Sequence, residues 1–494
     1  MLKNQYLICK NHVTSSLFDK NKMEKFLDYS VYHDQKIECT IVSNKEVNIL
    51  ILGYILDPFN PNHSNHQIAA TICEHSKNID TLFKNIQKYS GRYVILYSNG
   101  LDFITLTDAM GLRQLYFTTY ENNFVMSSSP KMILDSLNIE PEISEATLNL
   151  LQSDNYKFDE SPWYGEFWYD KRIKKVLPNH YLNLHNNVIH RTPLFFTALS
   201  ENETLDRIKE ILTGSFHAII NRYDKIMQPL TAGIDSRVLL AASKPLCHKI
   251  NYYLFINNPK QLEGSDAIIS SKLASRLNLR YNIISTLKLE DEFLKKFSDI
   301  CFYPRILPKT SNIQWHYYEN SDKNMINING NGGETLRRRY ARVDTGEKIN
   351  IKSLFALTNY SLFNSDIEKW YEETLPFSKE YKLNILDLFH WEQRMGHWHA
   401  LYQYEQDIAI EEFSPFNNKE LVLTVLKVDP DKRKYFKCTF FIELMEQLWP
   451  EVLSEPINPK RGFNLKRKIP TLIKKSPRLY IFLKRIKKSW NVIS

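Results

Sequence analysis

The stretch Leu230-Thr231-Ala232-Gly233-Ile234-Asp235-Ser236-Arg237 constrains the chain most. It joins a short apolar run, Ile226 to Leu230, to a segment whose residues Val238-Leu239-Leu240-Ala241-Ala242 suit the buried face of a helix beginning near Asp235. Strand, small-residue turn and helix in that order make a cradle for phosphate. Small residues let backbone N–H groups approach phosphate oxygens, and a helix start adds partial positive charge and unpaired donors. Ser236 can donate to a phosphate, and Asp235 can ligate the Mg²⁺ that neutralises it. The same residues also suit an ordinary strand–turn–helix connection rich in capping side chains.

A second segment, Met325-Ile326-Asn327-Ile328-Asn329-Gly330-Asn331-Gly332-Gly333-Glu334, reads as another strand running into a glycine-rich turn that ends in a carboxylate. In an open parallel sheet, ligands collect at the carboxyl ends of neighbouring strands, so the two turns are expected to face one nucleotide. Asp235 and Glu334 then become the two hard oxygen ligands of a magnesium pyrophosphate. A merely flexible turn is the competing reading of so many glycines.

With these residues in view, Thr231 to Ser236 resembles the S-G-G-x-D-S pyrophosphate loop of the asparagine synthetase family, and Gly330 to Glu334 resembles its later G-E-G-x-D segment. Four upstream fragments are similar to the glutaminase-type amino-terminal domain of that family: Gly91-Arg92-Tyr93, Thr107 to Tyr116, Ser128-Ser129-Pro130-Lys131, and Val176 to His180. The resemblance implies an amino-terminal αββα sandwich of the Ntn-hydrolase kind, followed by a parallel-sheet adenylating domain of the HUP-like class with a helical carboxyl-terminal part. Residues 1–190 are expected to form the first domain, 200–455 the ATP-binding domain, and 456–494 a basic tail. Short β-like runs such as Val47 to Leu52 and Tyr93 to Tyr97 fit the sandwich. Tyr252 to Ile256 and Asn282 to Ile284 are candidate parallel strands, and 350–455 reads as mostly helical.

The resemblance also implies a reaction: a carboxylate attacks the α-phosphate of ATP, and an amine or ammonia displaces AMP to give an amide, with ATP and Mg²⁺ bound by Leu230, Thr231, Ala232, Gly233, Asp235, Ser236, Asn329 and Gly330. Departures from the family matter here. Its working glutaminases expose a first-residue cysteine, whereas this sequence opens Met1-Leu2-Lys3-Asn4 and its nearest cysteine, Cys9, sits in an apolar run. The first domain is therefore expected to be glutaminase-like without glutaminase chemistry. Phe413 stands where the family has Arg, Asn418 where it has Asp, and Asn331 where synthetases carry Glu. Asparagine cannot serve as a general base, so Glu392 becomes the candidate base. Lys460 sits where the family places a lysine against the acyl-phosphate, and Asp266 reads as a helix-capping residue.

Composition bounds the remainder. A chain of 494 residues, 43% hydrophobic and 13% aromatic, has room for two or three cored domains. Six cysteines form no C-x-x-C pair, which argues against a disulfide framework or zinc site and for a reducing cytoplasm. No signal peptide or membrane span is expected. Residues 460–494 hold twelve Lys and Arg and no acid, leaving the rest of the chain net negative. Interleaved apolar residues such as Leu479 to Ile486 suggest an amphipathic helix and peripheral association with an anionic membrane surface; no nucleic acid is expected as partner. Two alternatives stay open: a glutamine-hydrolysing asparagine synthetase, and a non-catalytic nucleotide-binding partner.

Overall fold

The computed structural model describes residues 4–10, 22–286, 288–320, 324–340 and 349–459. Successive side chains of a strand point to opposite faces, and the amino-terminal strands use both faces. Leu50, Leu52, Val94 and Leu96 pack against Tyr6, Ile8, Val31 and Met126 in a core between two six-stranded antiparallel sheets. The intervening residues Ile49, Ile51, Ile95 and Tyr97 turn outward onto helices Asn65–His75 and Ile79–Ile86. Outside the other sheet, Leu7, Cys9 and Val125 meet helix Pro130–Leu137. The result is an αββα sandwich whose last strand is Val188–Arg191.

A five-stranded parallel sheet follows, in the spatial order Tyr281–Ser285, Ile250–Ile256, Lys225–Pro229, Met325–Ile328, Glu411–Phe413. The chain first adds strands on one side of Lys225–Pro229 and then crosses to the other, where Lys225 pairs with Met325 and Met227 with Asn327. The order reverses between these two strands, and a crevice opens beyond their carboxyl ends. Both motifs singled out in the sequence leave from there.

Within the mostly helical stretch 350–455, Glu411–Phe413 adds a fifth strand to the sheet, Ile326 pairing with Glu411 and Ile328 with Phe413. Three residues are too few to show a period of two. Just before it, Phe389–His399 forms a π-helix, a geometry that is rare at this length and concentrated at functional sites. Gly396 lets this helix meet the sandwich, since a Cβ there would stand 2.5 Å from Pro178 Cδ.

Sandwich and parallel sheet are joined by a buried ionic cluster. Arg92 Nη2 donates to Asp407 Oδ2 at 2.7 Å and Arg92 Nη1 to Glu411 Oε1 at 2.8 Å, while Arg113 Nη2 reaches Glu411 Oε1 at 3.0 Å. No helix among the described residues is long and apolar enough to cross a membrane.

Candidate nucleotide site

The turn after Lys225–Pro229 is tied down by its own small side chains. Gly233 N–H donates to Thr231 Oγ1 at 3.0 Å, Thr231 N–H to Ser236 Oγ at 3.3 Å, and the two hydroxyls lie 2.8 Å apart. Ala232 N–H donates to Asp266 Oδ1 at 2.9 Å. Asp266 thus caps the turn across the crevice; its own helix, Ser265–Arg276, has Gly264 as N-cap and no side-chain cap. That corrects the simple helix-capping reading. Leu230 is fully buried, so it can offer a ligand only its backbone.

Helix Ile234–Ala242 then starts at Gly233 without a side-chain cap, with Asp235 in its first turn. First-turn N–H groups without a capping side chain are an anion site. The Ser236 hydroxyl, assigned to phosphate from sequence, here faces the turn's own carbonyls, at 3.0 Å from Gly233 O and 3.2 Å from Thr231 O.

The glycine-rich turn closes over this helix start. A Cβ on Gly330 would stand 3.3 Å from Asp235 Cβ, and one on Gly333 would stand 2.5 Å from Asp235 Oδ1. A side chain at Gly330 would crowd Asp235, and one at Gly333 would displace its carboxylate. The side chain of Asn329, expected at the nucleotide, anchors the turn: its Nδ2 donates to Glu412 Oε2 at 2.8 Å and its Oδ1 accepts from Asn331 N–H at 3.0 Å. Buried and bonded at both amide atoms, its side chain holds the turn, and its backbone is what it can offer a ligand.

Asp235 and Glu334 therefore flank one crevice, each held by a guanidinium the sequence reading missed. Arg337 binds Asp235 Oδ2, and Arg339 Nη1 donates to Glu334 Oε1 at 3.0 Å. Both guanidinium groups lie over the Tyr435 ring, 4.5 and 4.6 Å from its centroid, and the Tyr435 hydroxyl donates to Glu334 Oε1 at 2.7 Å. His390 Nε2 stands 3.8 Å from Glu334 Oε2. The run Arg337-Arg338-Arg339 directly after the turn was the available signal; Tyr435 and His390 come from distant chain and left none.

The two acids are poised differently. Burial raises the Asp235 pKa and nearby Glu334 adds to it, outweighing the pull of Arg337. Burial works against Glu334 too, but His390, Arg339 and Tyr435 together hold it well below the usual carboxylate range. Burial lowers the His390 pKa, so at neutral pH that ring is a neutral partner and Arg339 carries the charge. Asp235 Oδ1 is buried and has no hydrogen-bond partner. Among the described residues no group of three or more His, Cys, Asp or Glu side chains forms a metal cage. Two carboxylates with one uncommitted oxygen suit instead a divalent cation that takes its other ligands from phosphate and water.

No family model and no curated protein matches the chain. Solved structures similar to it include the NH3-dependent NAD synthetase of Campylobacter jejuni, 18% identical, with 29% of this chain and 62% of that chain covered and a TM-score of 0.19. An NMN synthetase of Francisella tularensis is 17% identical, with 29% and 59% covered and a TM-score of 0.21. The glutamine phosphoribosylpyrophosphate amidotransferase of B. subtilis is 10% identical over 68% of this chain and 71% of that one, at a TM-score of 0.23. The chain thus spans about three fifths of the length of the two synthetases. At these values the site has to be read from its own geometry.

That geometry speaks against Glu392 as the base. Its carboxylate is fully buried in the contact with the sandwich, paired with Arg191, and accepts from Asn179 Nδ2 at 3.1 Å and Trp370 Nε1 at 2.8 Å. Burial opposes its charge, but Arg191 and its other partners keep the pKa low. A buried carboxylate engaged by three partners and held anionic is poorly placed to take a substrate proton. Lys460 lies outside the described residues, as does the rest of the basic tail. Cys9 is buried in strand Tyr6–Cys9, paired on both sides by Ser30 and Val125.

Proposed function

We propose that this chain is an ATP-dependent amide-forming ligase that adenylates a carboxylate and passes the acyl group to an amine or ammonia, releasing AMP and pyrophosphate. The observation that carries the reading is the meeting of Asp235 and Glu334 from adjacent parallel strands at an uncapped helix start. Thr231, Ala232, Gly233 and Gly330 lend backbone and space, the helix N-terminus draws the phosphates, and Arg337 and Arg339 supply positive charge where pyrophosphate leaves. Asp235 and Glu334 would hold Mg²⁺, which neutralises that leaving group. Holding the carboxylate in line with the α-phosphate and excluding water accounts for most of what the protein contributes.

With Glu392 occupied by Arg191, Asn179 and Trp370, an amine that arrives neutral, or a group outside the described residues, fits the mechanism better. Lys460 in the basic tail is the proposed partner of the acyl-phosphate, and the tail itself the proposed contact with an anionic membrane surface. A glutamine-hydrolysing asparagine synthetase is disfavoured by the buried, doubly paired Cys9. One observation favours a non-catalytic nucleotide-binding protein: each candidate metal ligand already carries an arginine.

ATP–pyrophosphate exchange with Mg²⁺ and pooled carboxylates decides between the two. Carboxylate-dependent exchange is expected. Tight ATP binding with no exchange under any carboxylate would give the protein to the non-catalytic reading.

A further inference from the structure

Away from the nucleotide crevice, a cavity of about 450 Å³ opens where the sandwich meets helix Asn364–Glu380 and the π-helix. That volume suits a small ligand. Its inner wall holds Lys175, only 2% exposed, whose Nζ donates to Gln114 Oε1 at 2.9 Å and to Gly396 O at 2.5 Å. Both acceptors are neutral, and among the described residues Lys175 forms no ion pair. Burial, with Arg305 adding, pushes its ammonium down to about 7, so an anion beside it is what would keep it charged at neutral pH.

Gln393 lines the same cavity and is fully buried. Its Oε1 accepts from Gly165 N–H at 2.8 Å, yet its Nε2 has no partner. A buried amide donor left unpaired costs free energy that an acceptor on a ligand would recover.

The mouth carries the opposite charge. Two of its ions are already matched, Lys369 with Glu166 and Arg191 with Glu392. Asp366, Glu373 and Glu380 line the cavity and make no ion pair among the described residues, and the last two are exposed. Trp370 and Phe377 give the walls between an apolar surface. The cavity is bipolar, with cation and amide donor inside and carboxylates outside.

We propose that this cavity binds a small zwitterion of the amino-acid class, its carboxylate taken by Lys175 and Gln393 and its ammonium held toward Asp366, Glu373 and Glu380. The site is separate from the nucleotide crevice, and the inference does not depend on the ligase reading.

Calorimetry on the full chain tests it with glycine, β-alanine and L-glutamate as zwitterions, and acetate and ethylamine as single-charge controls. At least one zwitterion is expected to saturate the protein and to bind about tenfold or more tightly than either control, the size of one lost charged hydrogen bond. Lys175→Met should weaken that zwitterion by a similar factor. The double variant Glu373→Gln, Glu380→Gln, altered only at exposed positions, should narrow its preference over acetate at unchanged melting temperature. The rim variant decides the matter if Lys175→Met does not fold. The proposal is overturned if none of the three zwitterions binds below about 10 mM, if acetate binds as tightly as they do, or if the rim variant keeps the full preference.

Discussion

Asp235 carries two opposed duties. Its Oδ2 satisfies Arg337, while its buried Oδ1 has no partner and faces Gly333. Asp235→Asn keeps the shape and removes the charge. Pyrophosphate exchange should fall by about 100-fold or more, as when a group aimed at developing charge is lost, with the melting temperature moved by only a few degrees. Unaltered exchange would show that the turn has been misassigned. Glu412 offers a second test at this scale. Burial pushes its carboxyl from 4.5 up to about 7, despite hydrogen bonds from Asn327 and Asn329. A raised acid means that the folded state binds the proton more tightly than the unfolded chain, so its ionisation costs nothing below pH ~4.5 and the full amount above ~7. Stability from this group should therefore rise as the pH is lowered from 7.5 toward 4.5, and Glu412→Gln should flatten that slope in chemical denaturation at a series of pH values. An equal slope in the variant would place the effect elsewhere. That Asp235 and Glu334 meet at one crevice was legible from residue type and spacing. The partners of Asn329 and Glu392 were not legible, because a polar side chain beside a motif looks the same in sequence whether it faces a ligand or bonds to its neighbours.

At the scale of elements, the site depends on two turns being allowed to touch. Gly333→Ala brings a methyl group against Asp235 Oδ1 and Phe416, forcing the carboxylate aside. ATP affinity should drop about tenfold while the fold survives, since the Asp235 carboxylate swings aside and the Phe416 ring gives by only a few tenths of an ångström. Titration with a fluorescent ATP analogue measures this, and wild-type affinity would mean that the turns part freely. The strands feeding these turns were recognisable because a buried parallel strand is a short apolar run bounded by small or polar residues. Glu411–Phe413 was not, being three residues long and opening with two acids. Its place in the sheet comes from pairing with Met325–Ile328, and its first acid is neutralised by Arg92 and Arg113 of the sandwich.

At the scale of the molecule, Arg92, Arg113, Asp407 and Glu411 lock sandwich to sheet. Burial raises the Asp407 pKa even against Arg92, while Arg113 and Arg92 keep Glu411 low. Charges this deep are tolerated only as a complete set. Arg92→Met strips Asp407 of its partner and should cost about 3–5 kcal/mol of stability, the range for breaking a buried pair. Denaturant unfolding followed by separate probes in the two parts should then show them melting apart. A single transition at the wild-type midpoint would make the cluster incidental. The two-part organisation was visible in sequence as a change from short β-like runs to alternating helix and strand near residue 200. The cluster that joins the parts was not, because its members are separated by about three hundred positions.

The sequence by itself determined the local backbone: which stretches become strand or helix, where small residues make tight turns, and which two acids follow those turns. These are properties of periodicity, side-chain size and spacing, and they act over a few residues. Only the tertiary structure decided which polar groups remain available. Strand order set Gly333 against Asp235, folded Arg337 and Arg339 onto the acids, and enclosed Glu392 with Arg191. The reason is that burial and pairing, which decide whether a charged group can act on a ligand, depend on neighbours in space, and those neighbours lie far apart along the chain.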